Sequence, residues 1–291
     1  MTSPKRTPAE LLSSWVVARS SAAAADWFLG QLERLKSSPS DKDIYLALGY
    51  ATRKLGKGDL ELKPEERAAA TAARPSWDPS DWSVDQAARI AFVLAGQARD
   101  GKAFKARLEM LFNTADVWEL IAFYRGLPLY LNAADHVARA REGTRSAMQP
   151  IFEAVAHRNP YPMEEFDENA WNHMVLKALF IGSKLAPILG LDDRANARLA
   201  RMLCDYAHER WAAQRSVSPE LWRCVGPHAD AAALEDLARV LATGTALERQ
   251  AAVLALASAR QPEAERHLRT VPDLHDGVRA GKITWIDIAR G

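Results

Sequence analysis

The stretch "AAALEDLARVLATG" (231–244), followed directly by "TALERQAAVLALASA" (245–259), decides the fold class. In both halves small residues and leucines recur at three- and four-residue spacing, which lines one face of an α-helix. Gly244 separates the halves, and Thr245 with Glu248 three residues later forms a capping box that opens the second. The pair therefore reads as two antiparallel helices of the kind that HEAT units contain. Two helices cannot bury their apolar faces alone, so the pair is expected to stack on the chain before it.

Working outward, the same start chemistry recurs at Thr7 with Glu10, Ser40 with Asp43 and Ser83 with Gln86, while Gly56 and Gly96 supply stops. Between them apolar residues keep the helical period, as in Ile44, Leu48 and Ala51 or Ile90, Val93 and Leu94. No segment alternates like a strand. The chain reads as all-α with about ten or more helices of ordinary length. The expected architecture is an α-solenoid, a HEAT-like superhelix of stacked antiparallel helix pairs, with a compact orthogonal helical bundle as the alternative. The weakest order is expected at residues 1–5 and in the loop "RPSWDPSDWS" (74–83), whose Trp77 and Trp82 should dock onto the body.

The 291 residues carry 38 basic and 37 acidic side chains, a net charge of +1, which removes the long-range attraction on which most nucleic-acid binders depend. Two cysteines, Cys204 and Cys224, have neither CxxC nor metal-ligand spacing, so no disulfide framework and no metal site is expected. The N-terminal segment lacks the long apolar run of a signal peptide, and Lys177 and Lys184 interrupt the most apolar internal run. These features predict a cytoplasmic chain without membrane insertion. GxGxxG, P-loop, HExxH, catalytic-triad and paired-carboxylate signatures are all missing, so no catalytic residues and no cofactor are assigned.

Three polar constellations remain. Glu142, Arg145, Gln149, Glu153 and His157 fall three or four apart and are expected on one helix face, kinked at Pro150. A salt-bridged surface and a pocket wall, with Glu153 or His157 as acid or base, explain that stripe equally well. In "RNPYPMEEFDENAWNHMVLKALF" (158–180), the two prolines should make a rigid turn and Asp167 should cap a helix buried on nearly all sides. That helix nevertheless carries Asn169, Asn172, His173 and Lys177, and a buried amine must reach water or pair with an acid. In "DDRANARLARMLCDYAHERWAAQR" (192–215), Arg194, Arg198, Arg201, Asp205, His208 and Glu209 are expected on a common face. Ser218 and Pro219 should then start the next helix, with Trp211 and Trp222 packed where the two meet.

These runs carry a resemblance. "LFNTADVWELIAFYRGLPL", "REGTRSAM", "RNPYPMEEFDENAWNHMVLKALF", "GLDDRANARLARMLCDYAHERWAAQR" and "SPELWRCVGP" resemble the EboA family over roughly residues 45–227. The resemblance implies a cytoplasmic helical protein encoded in the Ebo cluster, which is linked with making or exporting secondary metabolites. Neighbours in such clusters resemble a UbiA-like prenyltransferase, a TatD-like metal hydrolase and sugar-phosphate isomerase or cyclase-like enzymes, and other Ebo-cluster proteins are the implied partners. The resemblance supplies no catalytic residues. It suggests an EboA-like domain over 1–228, with residues 229–291 as a helix pair and tail on the same solenoid.

Glu142, Arg145, Glu153, His157, Asn172, Lys177, Asp205 and His208 are the candidate ligand-binding or internal network residues, expected to converge between neighbouring helices. The leading expectation is a non-catalytic scaffold or adaptor for precursor biosynthesis or export. A small-molecule precursor binder or enzyme with a polar inter-helix pocket is the alternative, and nucleic-acid binding by the solenoid is the weakest.

Overall fold

A computed structural model describes residues 6–37, 40–97 and 100–291. The expectation for residues 1–5 lies outside them. Among the described residues there is no strand, and the chain is all-α as expected; Asp59 and Ser83 form an isolated bridge. By its contacts it divides into two compact units, Met1–Phe166 and Asp167–Gly291.

The first unit comprises α1 (Pro8–Ala18), α2 (Ala22–Ser37), α3 (Asp41–Leu55), α4 (Pro64–Ala73), α5 (Val84–Ala95), α6 (Gly101–Thr114), α7 (Val117–Gly126), α8 (Val137–Gly143), α9 (Gln149–Ala156) and α10 (Tyr161–Glu165). At its centre lies α5, which packs against α1, α2, α3 and α7 and buries nine residues from Val84 to Val93. A helix apolar on all sides belongs in a core, yet α5 carries Asp85 and Arg89, 2% and 3% exposed. Both are satisfied. Asp85 accepts from Ser83, Thr52 and Arg89, each at 2.6 Å, and Arg89 also donates to Thr52 at 3.0 Å. Trp77 and Trp82 dock as expected: Trp77 packs between Trp15, tilted to it, and the edge-on Trp82, with ring centroids 5.7 and 6.0 Å away.

The capping boxes at Thr7 and Thr245 form as read, Ser40 caps α3, and Gln86 accepts the Ser83 N–H. Two proline readings need correction. The stripe through Pro150 is not one kinked helix: α8 ends at Gly143 and α9 begins at Gln149. Near Pro160 the "NPYP" run is only partly a turn, because α10 starts at Tyr161 with Pro162 in its first turn. The reason is common to both. A missing N–H costs nothing at a helix start, so proline opens a helix there rather than bending or ending one.

The second unit comprises α11 (Glu168–Phe180), α12 (Ala197–Ala212), α13 (Trp222–Val225), α14 (Ala231–Thr243), α15 (Ala246–Ser258), α16 (Glu263–Leu268), α17 (Pro272–Arg279) and α18 (Trp285–Arg290). The pair α14 and α15 packs together across Gly244, and α15 also meets α13, α16, α17 and α18. Gly226 makes the closest approach: a Cβ there would lie 2.5 Å from the Ala255 carbonyl oxygen and 2.4 Å from Ser258 Oγ. Only glycine lets the backbone pass so near α15. Buried Glu220 fixes a loop before α12, accepting the N–H groups of Leu185 and Ala186 at 3.1 and 2.8 Å.

Candidate functional site

The cleft between α12 and α14 is built from spacing. Arg201, Cys204, Asp205 and His208 succeed one another at three, one and three residues along α12 and so share one face of it. Facing them, α14 begins at its cap Asp230, whose carboxylate accepts the Ala233 N–H at 3.0 Å, and presents Asp236 nearly two turns further on. His228 closes the end of the cleft from the turn before α14. The enclosed volume is about 230 Å³.

His208 and Asp236 are the chemical centre. His208 Nε2 lies 2.7 and 2.8 Å from the two carboxylate oxygens of Asp236. The Asp236 side chain is 12% exposed and that of His208 52%, so the carboxylate forms the floor and the imidazole the wall. A carboxylate only accepts, so Nε2 is a nitrogen that donates here. Trp211 holds the ring from behind, 5.7 Å away, and is itself stacked on Trp222 at 6.0 Å, as the sequence reading expected, with Arg239 4.3 Å over its face.

Cys204 is the one soft nucleophile in the cleft, and its surroundings disarm it. Burial, then the charges of Asp236, Asp230 and Asp205, and its own hydrogen bond to Asp236 push the thiol up to about 12. Thiolate chemistry needs the opposite environment. Nor do these side chains make a metal-ligand set: no group of three or more His, Cys, Asp and Glu placed to hold a metal occurs among the described residues. What remains is hydrogen bonding at His208, on an acid-rich floor with Arg201 at its edge.

Of the eight residues singled out in the sequence, Asp205 and His208 share this cleft. Asn172 lies in the same unit, fully buried, and exchanges side-chain hydrogen bonds of 2.9 and 3.2 Å with Asn196, which also caps α12. Lys177 escapes burial by placing its amine 5.2 Å over the ring of Phe180, a residue 71% exposed. Arg194 does not share the α12 face; it lies in the turn before the helix, its guanidinium 4.6 Å over Trp171.

Four of the eight belong to the first unit. Glu142 pairs with Arg139 at 2.8 Å on the surface, and Arg145 is exposed in the break between α8 and α9. Glu153 accepts from Gln149 at 2.8 Å, and His157 ends α9 through a backbone bond to Glu153. The break at Gln149 is why these four do not form one continuous stripe.

Asp236, Cys204, His228 and Asp230 were missed in the sequence. Asp236 left a trace: it falls in the apolar stripe of Ala233, Leu237 and Val240, and a carboxylate on a buried face requires a partner.

A family model described as "Metabolite traffic protein EboA" matches residues 8–226 of the 291. No curated protein and no solved structure matches the chain. No helix among the described residues is long and apolar enough to cross a membrane.

Proposed function

Since this chain belongs to the EboA family, we propose that it serves metabolite traffic as a non-catalytic helical adaptor, holding a small polar precursor, or the polar end of a larger one, in the His208–Asp236 cleft. The carrying observation is the pairing of a proton-directing dyad with a thiol pushed up to about 12. That combination recognises a hydrogen-bonding group and offers no covalent attachment point. A volume of about 230 Å³ is below the ~300–1,000 Å³ common for drug-sized ligands, which sets the size class. We further read the protein as cytoplasmic and solenoid-like, working beside other Ebo-cluster proteins, with residues 229–291 extending the family domain over 1–228.

Native mass spectrometry of gently purified full-length protein tests this reading. A retained mass lost in His208→Ala and in Asp236→Asn supports the cleft. Retention unaffected by both variants overturns it.

A second reading rests on size. A mostly apolar cleft of about 530 Å³ in the first unit, lined by Leu29, Leu32, Ala91 and Leu94 with Arg6, Glu10, Glu33 and Lys36 as its charged residues, falls within the ordinary ligand range. Loss of the retained mass in Leu94→Trp, with retention intact in His208→Ala, would move the binding function there.

A further inference from the structure

α3 is apolar on two sides. It buries Ile44, Ala47, Leu48 and Ala51 in the first unit, while its outer face shows Lys42, Tyr45, Leu46, Tyr50, Arg53 and Lys54 to solvent. Those six recur at three- and four-residue spacing, so they form one stripe. Tyr45, Leu46 and Tyr50 are 38 to 43% exposed, an arrangement that a surface meeting only water has no reason to keep.

The patch continues beyond the helix. Tyr45 Oη meets Thr114 Oγ1 at 3.3 Å, and Lys57 places its amine 3.9 Å over the ring of half-exposed Trp118. Beside the stripe, α2 and α3 enclose about 310 Å³ lined by Trp27, Gln31, Arg34, Leu46, Tyr50 and Lys54, two rings and two cations with no acid among them. The two acids of α3 are paired: Asp41 lies 3.2 Å from Arg107, and Asp43 accepts from Ser40 and lies 3.9 Å from Arg34. With a net charge of only +1 on the whole chain, this is a local concentration of positive charge.

We propose that the outer face of α3 docks the protein on an anionic lipid surface, with Tyr45, Leu46 and Tyr50 entering the headgroup layer and Lys42, Arg53, Lys54 and Lys57 meeting its phosphates. Aromatic rings with lysine and arginine on one exposed helix face are the chemistry of the bilayer interface, where rings sit at headgroup level and long cations reach the anionic charge. A protein partner fits less well, because interface cores are depleted of lysine. A nucleic acid fits less well too, because a chain with a net charge of +1 lacks the broad positive field that binding to a phosphate backbone draws on. The docking is peripheral and independent of the cleft between α12 and α14.

Flotation of the full chain with vesicles of phosphatidylcholine alone, or mixed with phosphatidylglycerol, tests the proposal. Binding is expected only to the anionic vesicles and should weaken as salt rises. Replacing three cations together, Arg53→Gln, Lys54→Gln and Lys57→Gln, should weaken it on the order of a hundredfold. Tyr50→Ser, at an exposed site outside the core, should weaken it separately, with unchanged circular dichroism. Absence of binding to anionic vesicles, equal binding to neutral ones, or binding indifferent to these variants would overturn the proposal. So would a dimer in light scattering that Tyr50→Ser dissolves, which would give the face to a second copy, or salt-sensitive duplex binding lost in the triple variant.

Discussion

His208 offers Nε2 to both oxygens of Asp236, at 2.7 and 2.8 Å, while the charge of the same carboxylate raises the thiol of Cys204, one turn before His208 on α12. One buried acid thus acts on an imidazole and a thiol together. Asp236→Asn should free the thiol from its second-largest restraint, the Asp236 charge, and lower its ionisation from about 12. Iodoacetamide labelling of Cys204 at mildly alkaline pH should be faster in Asp236→Asn than in the native chain. Equal rates would show that burial alone protects it.

Removing the imidazole acts on stability instead. His208→Ala leaves the Asp236 carboxylate on the cleft floor without its nitrogen partner, at a cost of roughly 1–3 kcal/mol in urea unfolding. His208→Gln can still donate to the carboxylate and should recover part of that loss.

Acid sensitivity should arise in the first unit. Burial pushes the Asp85 carboxyl up, but hydrogen bonds from Ser83 and Thr52 and the charge and hydrogen bond of Arg89 outweigh it and hold the group below its ordinary 3.8. Glu66 is held below its ordinary 4.5 chiefly by the hydrogen bond from Arg19. A carboxyl with a depressed folded value contributes stability that is complete above its unfolded value and is lost as the pH falls through the folded one. Stability should therefore be flat above about pH 5 and fall as acidification proceeds through and below the ordinary carboxylate range. Asp85→Asn should make that fall shallower while lowering stability at neutral pH, as thermal unfolding across a pH series will show.

Gly226→Ala tests the close approach to α15. The added Cβ meets the Ala255 carbonyl oxygen at 2.5 Å, a backbone atom that cannot swing aside, so the variant should lose about 1–3 kcal/mol by chemical denaturation. Gly58→Ala, where a Cβ meets nothing within 4 Å, is the matched control and should change little.

Glu220→Ala should orphan the N–H groups of Leu185 and Ala186, which its two carboxylate oxygens now accept. A loss of roughly 2–3 kcal/mol is expected, with faster amide exchange confined to those two positions before global unfolding.

Local patterns in the chain were sufficient for the helices. The capping boxes at Thr7 and Thr245, the cap at Asp167 and the pair across Gly244 stand where residues three and four apart placed them. Such signals are legible because each involves atoms within one or two turns of each other, so spacing alone brings them together. The contact of Trp211 with Trp222 was legible for a related reason, since large rings on two successive helices have little else to bury against. Pro150 and Pro162 were misread because proline is compatible with either an interrupted helix or a new one, and the choice depends on what the neighbouring backbone packs against.

The candidate site was half legible. His208 and Asp205 could be named from α12 alone, whereas Asp236, the partner of His208, lies 28 residues from it and joins it only through the packing of α14 on α12. Asn172 likewise needed Asn196, 24 residues away, to explain an amide in a buried face. The amino-acid sequence by itself determined that the chain is helical, where its helices begin and which family it joins, because those depend on periodicity, capping and motif. Only the tertiary structure decided which carboxylate holds His208, why the Cys204 thiol is quiet and how α3 came to leave an apolar face outside, because burial and charge at a side chain are set by residues far along the chain that folding brings within a few ångströms.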